Sequence, residues 1–165
     1  MSLKLFKLIK KILMIKIDVV IKEKNWKKYI SDPKKYLNNQ AQKIKLSNYL
    51  MPRTINISVL LTGNEDIKKL NAIFRKKNKT TDVLSFPFYS PKETKKKLKS
   101  KKKLYLGDII INFNKIEKKN KKFKKEFIKL WVHGFVHLLG YKHYKNKDFF
   151  KMEKMERTII NQLAC

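Results

Sequence analysis

All three histidines of this chain fall within eleven residues, His133-Gly-Phe-Val-His137-Leu-Leu-Gly140-Tyr-Lys-His143. Two imidazoles at i and i+4 project from one face of a helix with Cβ atoms roughly 6 Å apart, so both rings can reach one ion at about 2.0 Å. Gly140 stands where a glycine past a helix end takes the left-handed conformation and turns the chain, which swings His143 back toward the first two. Three neutral imidazoles leave a divalent ion with its full charge and an open fourth position. Such an ion acts as a Lewis acid and lowers the pKa of a bound water to about 7. One zinc on His133, His137 and His143 is the expectation. A purely structural zinc is disfavoured, because closed sites take four protein ligands, usually including cysteine, and the single cysteine here is Cys165.

The motif shares its frame with the metalloprotease pattern HExxHxxGxxH, except that Gly134 replaces the glutamate. That glutamate takes the proton from water during peptide hydrolysis, so its absence argues against a peptidase and leaves the metal cage whole. An anionic substrate suits what remains. Composition points the same way: 42 Lys plus Arg against 13 Asp plus Glu give a formal charge of +29. Only Arg53, Arg75 and Arg157 are arginines, and the chain is also rich in Ile and Asn, so compositional bias contributes to the lysine count. The charge acts whatever its origin. Lysine runs at 95–103 and 115–125 are dense enough to attract a polyanion and to make its binding steeply salt-dependent.

Hydrophobic spacing supplies the elements that must hold these residues. Ile15, Ile17, Val19 and Ile21 alternate as a strand over 12–21. A helix runs from Pro33 to about Met51, where Pro52 ends it. Ile55, Ile57, Val59 and Leu61 alternate as a second strand. A short helix follows with Ile67, Leu70, Ile73 and Phe74 as its apolar stripe, and strands at 83–86 and 104–113 complete the set. Between the last two, residues 89–103 read as an exposed lysine-rich loop. From Leu130 to Leu139 all residues but the two histidines and Gly134 are apolar, which marks a central, covered helix. Phe149, Met152, Met155, Ile159, Ile160 and Leu163 mark a closing amphipathic helix.

The fold class is therefore α+β: a single domain over 1–165 with a roughly four-stranded mixed sheet, packed helices, and a basic N-terminal extension at 1–11. Lys4, Lys7, Lys10, Lys11 and Lys16 interrupt the first twenty residues, so neither a signal core nor a membrane span is expected there. One cysteine permits no internal disulfide. A cytoplasmic location without membrane partners follows as an expectation. The oligomeric state is open.

Four blocks resemble the YbeY family of bacterial ribosomal-RNA maturation endoribonucleases: Leu70-Asn71-Ala72-Ile73-Phe74-Arg75, Thr81-Asp82-Val83-Leu84-Ser85-Phe86-Pro87, Leu106-Gly107-Asp108-Ile109-Ile110, and the histidine block. The spacing of Asp148, Met152 and Glu156 extends the match loosely. The resemblance implies a zinc-dependent endoribonuclease specific for single strands. It further implies action on the 3′ end of small-subunit (16S) ribosomal RNA and in ribosome quality control, with ribosomal RNA and the small subunit as partners. It carries a catalytic role onto Arg75 beside His133 and a substrate contact onto Arg75; Asp82 and Ser85 in the matched blocks, and Lys142 before the third histidine, stand as further candidate substrate contacts. On residues alone, Asp82 also reads as the cap of a strand entrance and Asp108 as the holder of a turn. Lys142 departs from the aspartate common before the third histidine, and Phe74 from a usual tyrosine. The alternative class is a basic ribosome-assembly factor whose zinc organises the fold without turnover.

Overall fold

The computed structural model describes residues 13–46, 54–143 and 146–163. Strands β1 (Met14–Ile21), β2 (Thr54–Thr62), β3 (Val83–Pro87) and β4 (Lys103–Asn112) form one sheet in the order β1-β2-β4-β3. β1, β2 and β4 run parallel, and β3 pairs antiparallel to β4 at the edge. The mixed α+β domain is thus as the periodicity implied. Around the sheet stand α1 (Trp26–Tyr29), α2 (Pro33–Ala41), α3 (Asn64–Arg75), α4 (Pro91–Ser100), α5 (Asn120–Leu138) and α6 (Asn146–Leu163). No helix among the described residues is long and apolar enough to cross a membrane.

β1 and β2 alternate between buried and more exposed positions, whereas β3 and β4 are buried on both faces because each face meets a different helix layer. Ile15, Ile17, Ile55, Ile57, Val59, Ile109 and Ile111 join the large core that includes α5, whereas Leu84 and Ile110 meet Ile67 of α3 on the other face. In α5, Phe123, Phe127, Trp131 and Phe135 are buried outright, and Trp26 of α1 lies edge-on to Phe123 with ring centroids 5.5 Å apart. These aromatics anchor the first two-thirds of the helix. Its histidine-bearing end is consequently held by a packed rod, not by a loop.

Two glycines fit the backbone where nothing larger would. A Cβ on Gly134 would stand 2.7 Å from Ile109 Cγ2, so the absent side chain lets α5 lie directly on β4. The motive is close approach to a strand side chain. Gly107 has φ +135°, and a Cβ there would lie 2.1 Å from the Phe86 carbonyl oxygen. It belongs to a bulge: Asn56 pairs with Tyr105 and Ile57 with Gly107, leaving Leu106 as the extra residue of β4.

Some boundaries differ from those read off the sequence. α2 ends at Ala41, well before Met51, and residues 47–53 lie outside the described set, as does the extension at 1–11. The larger correction concerns 89–103, which holds a ten-residue helix in place of a loop. Ser90 Oγ accepts from Glu93 N–H, Glu93 Oε2 accepts from Ser90 N–H at 3.0 Å, and Pro91 occupies the first turn. Asp108 does not hold a turn either, because it lies within β4, where its Oδ1 accepts from the Tyr105 hydroxyl at 2.6 Å.

Candidate active site

His133 and His137 emerge one turn apart from the face of α5 that the core leaves free, each only half-buried. Beyond them the helix closes in a Schellman motif. Tyr141 N–H donates to the Val136 carbonyl at 3.2 Å, Gly140 N–H donates to the His137 carbonyl at 2.9 Å, and Gly140 takes φ +93°. The turn returns the chain so that His143, itself exposed, places a ring nitrogen within 4.8 Å of ligand atoms on both other rings.

Hydrogen bonding fixes which nitrogens face inward. The His137 Nδ1 lies 3.0 Å from the Tyr141 carbonyl oxygen, which can only accept, so the proton sits on Nδ1 and the neutral ring leaves a lone pair on Nε2. Glu156 Oε1 stands 2.8 Å from His133 Nδ1 and imposes the same tautomer there. The two Nε2 atoms then face one another at 3.2 Å. That separation suits two lone pairs turned toward one cation. Ligand nitrogens of a tetrahedral ion with 2.0–2.1 Å bonds stand about 3.3 Å apart. His133, His137 and His143 therefore fit a divalent metal.

The local field favours the ligating state. Burial chiefly, with the neighbouring His133, His143 and Arg75 charges, lowers the His137 pKa to about 4 against the opposing Tyr141 hydrogen bond. A neutral imidazole at physiological pH is the form that binds metal. The folded pKa lies below the unfolded value, so between pH 6.5 and about 4 the unfolded chain binds a proton that the folded one refuses. Metal-free protein should accordingly lose about 1 kcal/mol between pH 7 and 5 from this partly exposed ring. Urea unfolding with His137→Gln as reference isolates it, and parallel pH profiles for the two chains would contradict it.

Arg75 ends α3, and Lys76 beyond it takes a left-handed conformation with φ 57°. The buried Asn71 secures this reversal, with its Nδ2 donating to the Lys79 carbonyl at 2.8 Å. The exposed guanidinium reaches the edge of the sheet, where Nη2 donates to the Ser85 carbonyl at 3.5 Å, and its charge acts on His137. Ser85 is buried in β3 opposite Ile109, the residue that Gly134 packs against. Asp82 Oδ1 accepts from Val83 N–H at 2.8 Å at the head of β3, the capping arrangement. Lys142 is exposed beside His143. Arg75 and Ser85 thus meet near the histidines, while Asp82 is engaged with its own strand.

Glu156 was noted in the sequence for its spacing but not as a site residue. A signal existed: Met152, Glu156, Ile159 and Ile160 share one stripe of α6, and a carboxylate in an apolar stripe needs a partner. Glu156→Gln should weaken metal affinity by about 10–100-fold while the fold persists. Competition against a chromogenic chelator measures this, and an unchanged affinity would remove Glu156 from the site.

A family model described as Endoribonuclease YbeY matches residues 16–164. A protein named Endoribonuclease YbeY from Pelagibacter ubique is 44% identical over 150 residues, spanning 88% of this chain and 94% of that one. Its namesake from Buchnera aphidicola is 41% identical over 137 residues, spanning 79% and 81%. The solution structure of TM1509 from Thermotoga maritima aligns over 89% of this chain and 88% of that chain with TM-score 0.51 at 23% identity, a likeness of fold.

Proposed function

Since the chain belongs to the YbeY endoribonuclease family, we propose that it is a zinc-dependent, single-strand-specific enzyme maturing the 3′ end of small-subunit ribosomal RNA and serving ribosome quality control. The observation that carries this reading is the convergence of three histidine ligand atoms within 4.8 Å, with the Arg75 charge acting on the same cluster. His133, His137 and His143 would hold the zinc, which when bound polarises a phosphoryl oxygen and makes an attacking oxygen more acidic.

The protein's own groups do the rest. Glu156 and the Tyr141 carbonyl hold two rings in the ligating tautomer. As an oxygen nucleophile adds to phosphorus, negative charge grows on the non-bridging oxygens, and the Arg75 guanidinium can hold two of them at once. His137 stays neutral near pH 7, so the pocket does not protonate the attacking group. Exposed lysines at 92, 95 and 96 of α4 lie on a helix whose Pro91 abuts Gly140, and so guide the phosphate backbone toward the turn between the ligands. Ser85, Lys142 and Asp82 are the remaining candidate substrate contacts, with Lys142 exposed next to His143 and Asp82 at the head of β3.

The test is cleavage of a precursor small-subunit ribosomal RNA by zinc-loaded and chelator-treated protein, followed by end-group analysis. Cuts confined to unpaired regions and restored by zinc are expected. Equal cutting of duplexes, or activity indifferent to chelation, would refute the reading. A 2′,3′-cyclic phosphate at the cut would assign the nucleophile to the RNA's own 2′-hydroxyl, and its absence to water.

A further inference from the structure

Phe74 and Phe88 are 62% and 64% exposed, a state that among the described phenylalanines only Phe149 and Phe150 of α6 share. Neither is isolated. Phe74 stands edge-on to Phe86 with centroids 5.1 Å apart, and Phe88 packs edge-on to Tyr89 at 4.9 Å and Tyr105 at 5.7 Å. Phe86 and Phe88 share one side of the β3 line, about 7 Å apart. Phe86 lies with Leu84 and Ile110 on the face of the sheet that meets α3, and the strip approaches the site at its ends: Phe74 immediately precedes Arg75, and the segment after Phe88 leads to Pro91, whose Cα would lie 3.1 Å from a Cβ on Gly140.

We propose that Phe74 and Phe88 are stacking platforms for unpaired bases next to the phosphodiester that is cut. The assignment rests on the endoribonuclease reading above and extends it to how the substrate strand is held. The surroundings decide between RNA and protein as the occupant. Lys76 and Lys77, which follow Phe74 in the chain, and Lys92, Lys95 and Lys96 on α4 after Phe88 are exposed, and Lys97 lies 4.6 Å over the Tyr89 ring. Lysine is depleted where protein surfaces bury one another, whereas rings within a cationic rim are how single strands are gripped without regard to sequence. The nearest acid on β4, Asp108, is occupied by the Tyr105 hydroxyl at 2.6 Å. Stacking also supplies strand selectivity, because only unpaired bases can offer their faces.

The experiment measures binding of two nuclease-resistant 2′-O-methyl phosphorothioate single strands to the zinc-loaded chain by fluorescence anisotropy, one with bases and one abasic. Wild type should bind the base-bearing strand about 10-fold or more tightly than the abasic one, and Phe74→Ala and Phe88→Ala should each weaken only the former by about 10-fold. Raising salt should weaken all complexes and leave these ratios nearly unchanged. Phe88→Trp should retain affinity, its emission quenched by the strand against the background of the fully buried Trp26 and Trp131. Alanine variants that bind both strands as wild type does, or that weaken both equally, overturn the stacking assignment while leaving cleavage and the enzyme reading intact. Loss of binding to a ribosomal protein with unchanged RNA affinity would reassign the strip to protein docking and overturn it too. A wild-type chain that neither binds nor cuts RNA would instead defeat the endoribonuclease reading itself.

Discussion

Replacing Arg75 by alanine should lower RNA cleavage by about 10²–10³-fold while zinc content and melting temperature stay close to wild type, the loss expected when one preorganised donor to a developing oxyanion is removed. The stability half of this expectation follows from exposure. Arg75 is solvent-exposed, and its contact to the Ser85 carbonyl, at 3.5 Å, is at the outer limit of a hydrogen bond. The catalytic half follows from position, since its charge is felt by His137 from a helix end that Asn71 and Lys76 hold in a defined turn. Arg75→Lys should recover only part of the rate, because an ammonium cannot grip two phosphoryl oxygens in one plane. The lysines that follow it, Lys76 and Lys77, should not substitute for the same reason. Single-turnover cleavage with zinc-saturated protein gives the answer directly, and a variant as fast as wild type would take Arg75 out of the reaction.

The second large effect belongs to His137. His137→Ala should abolish stoichiometric zinc binding and reduce cleavage by 10³-fold or more, the scale of a Lewis acid worth several kcal/mol in the transition state. Its Nε2 stands 3.2 Å from that of His133, so its loss breaks the ligand pair already set at metal spacing. Stability reports the same event without any substrate. A ligand present at about 1,000 times its dissociation constant stabilises the folded state by about 4 kcal/mol, so zinc should raise the melting temperature of wild type and leave His137→Ala unmoved. His143 is the exposed member of the set, and His143→Ala should regain part of its zinc binding at high metal concentration. Equal zinc stabilisation of wild type and His137→Ala would exclude the histidine cluster as the metal site.

The correctly read parts of the fold are those in which local pattern and burial agree. β1 and β2 alternate in sequence because each has one face in the large core, and α5 reads as a covered helix because its aromatics do meet neighbours on several sides. The segment 89–103 reads as a loop in sequence because its lysines speak for solvent, while its signals for a helix are the few residues at its start. Ser90-Pro91-Lys92-Glu93 is a capping box with proline in the first turn, and Thr94 and Leu98 bury the one apolar side. Nucleation at the cap and burial at i and i+4 outweigh a run of charges most of which point to water. For α2, the apolar spacing continues to Leu50, but the chain leaves the helix after Ala41, and Ile44 still reaches the core without helical backbone. Spacing reports burial, and burial does not require the helix to continue.

Within the site the division is sharper. A pair of imidazoles four residues apart and a glycine three residues later carry their own geometry, because helix pitch and a left-handed cap follow from backbone sterics alone; this much was settled by the order of amino acids. Glu156 on His133 Nδ1, across a separation of 23 residues, and the Arg75 guanidinium at the β3 edge were decided only when α6 packed against α5 and α3 against β4. Periodicity states which way a side chain leaves its own element. Which other element receives it depends on how the elements pack, and that is a property of the whole core.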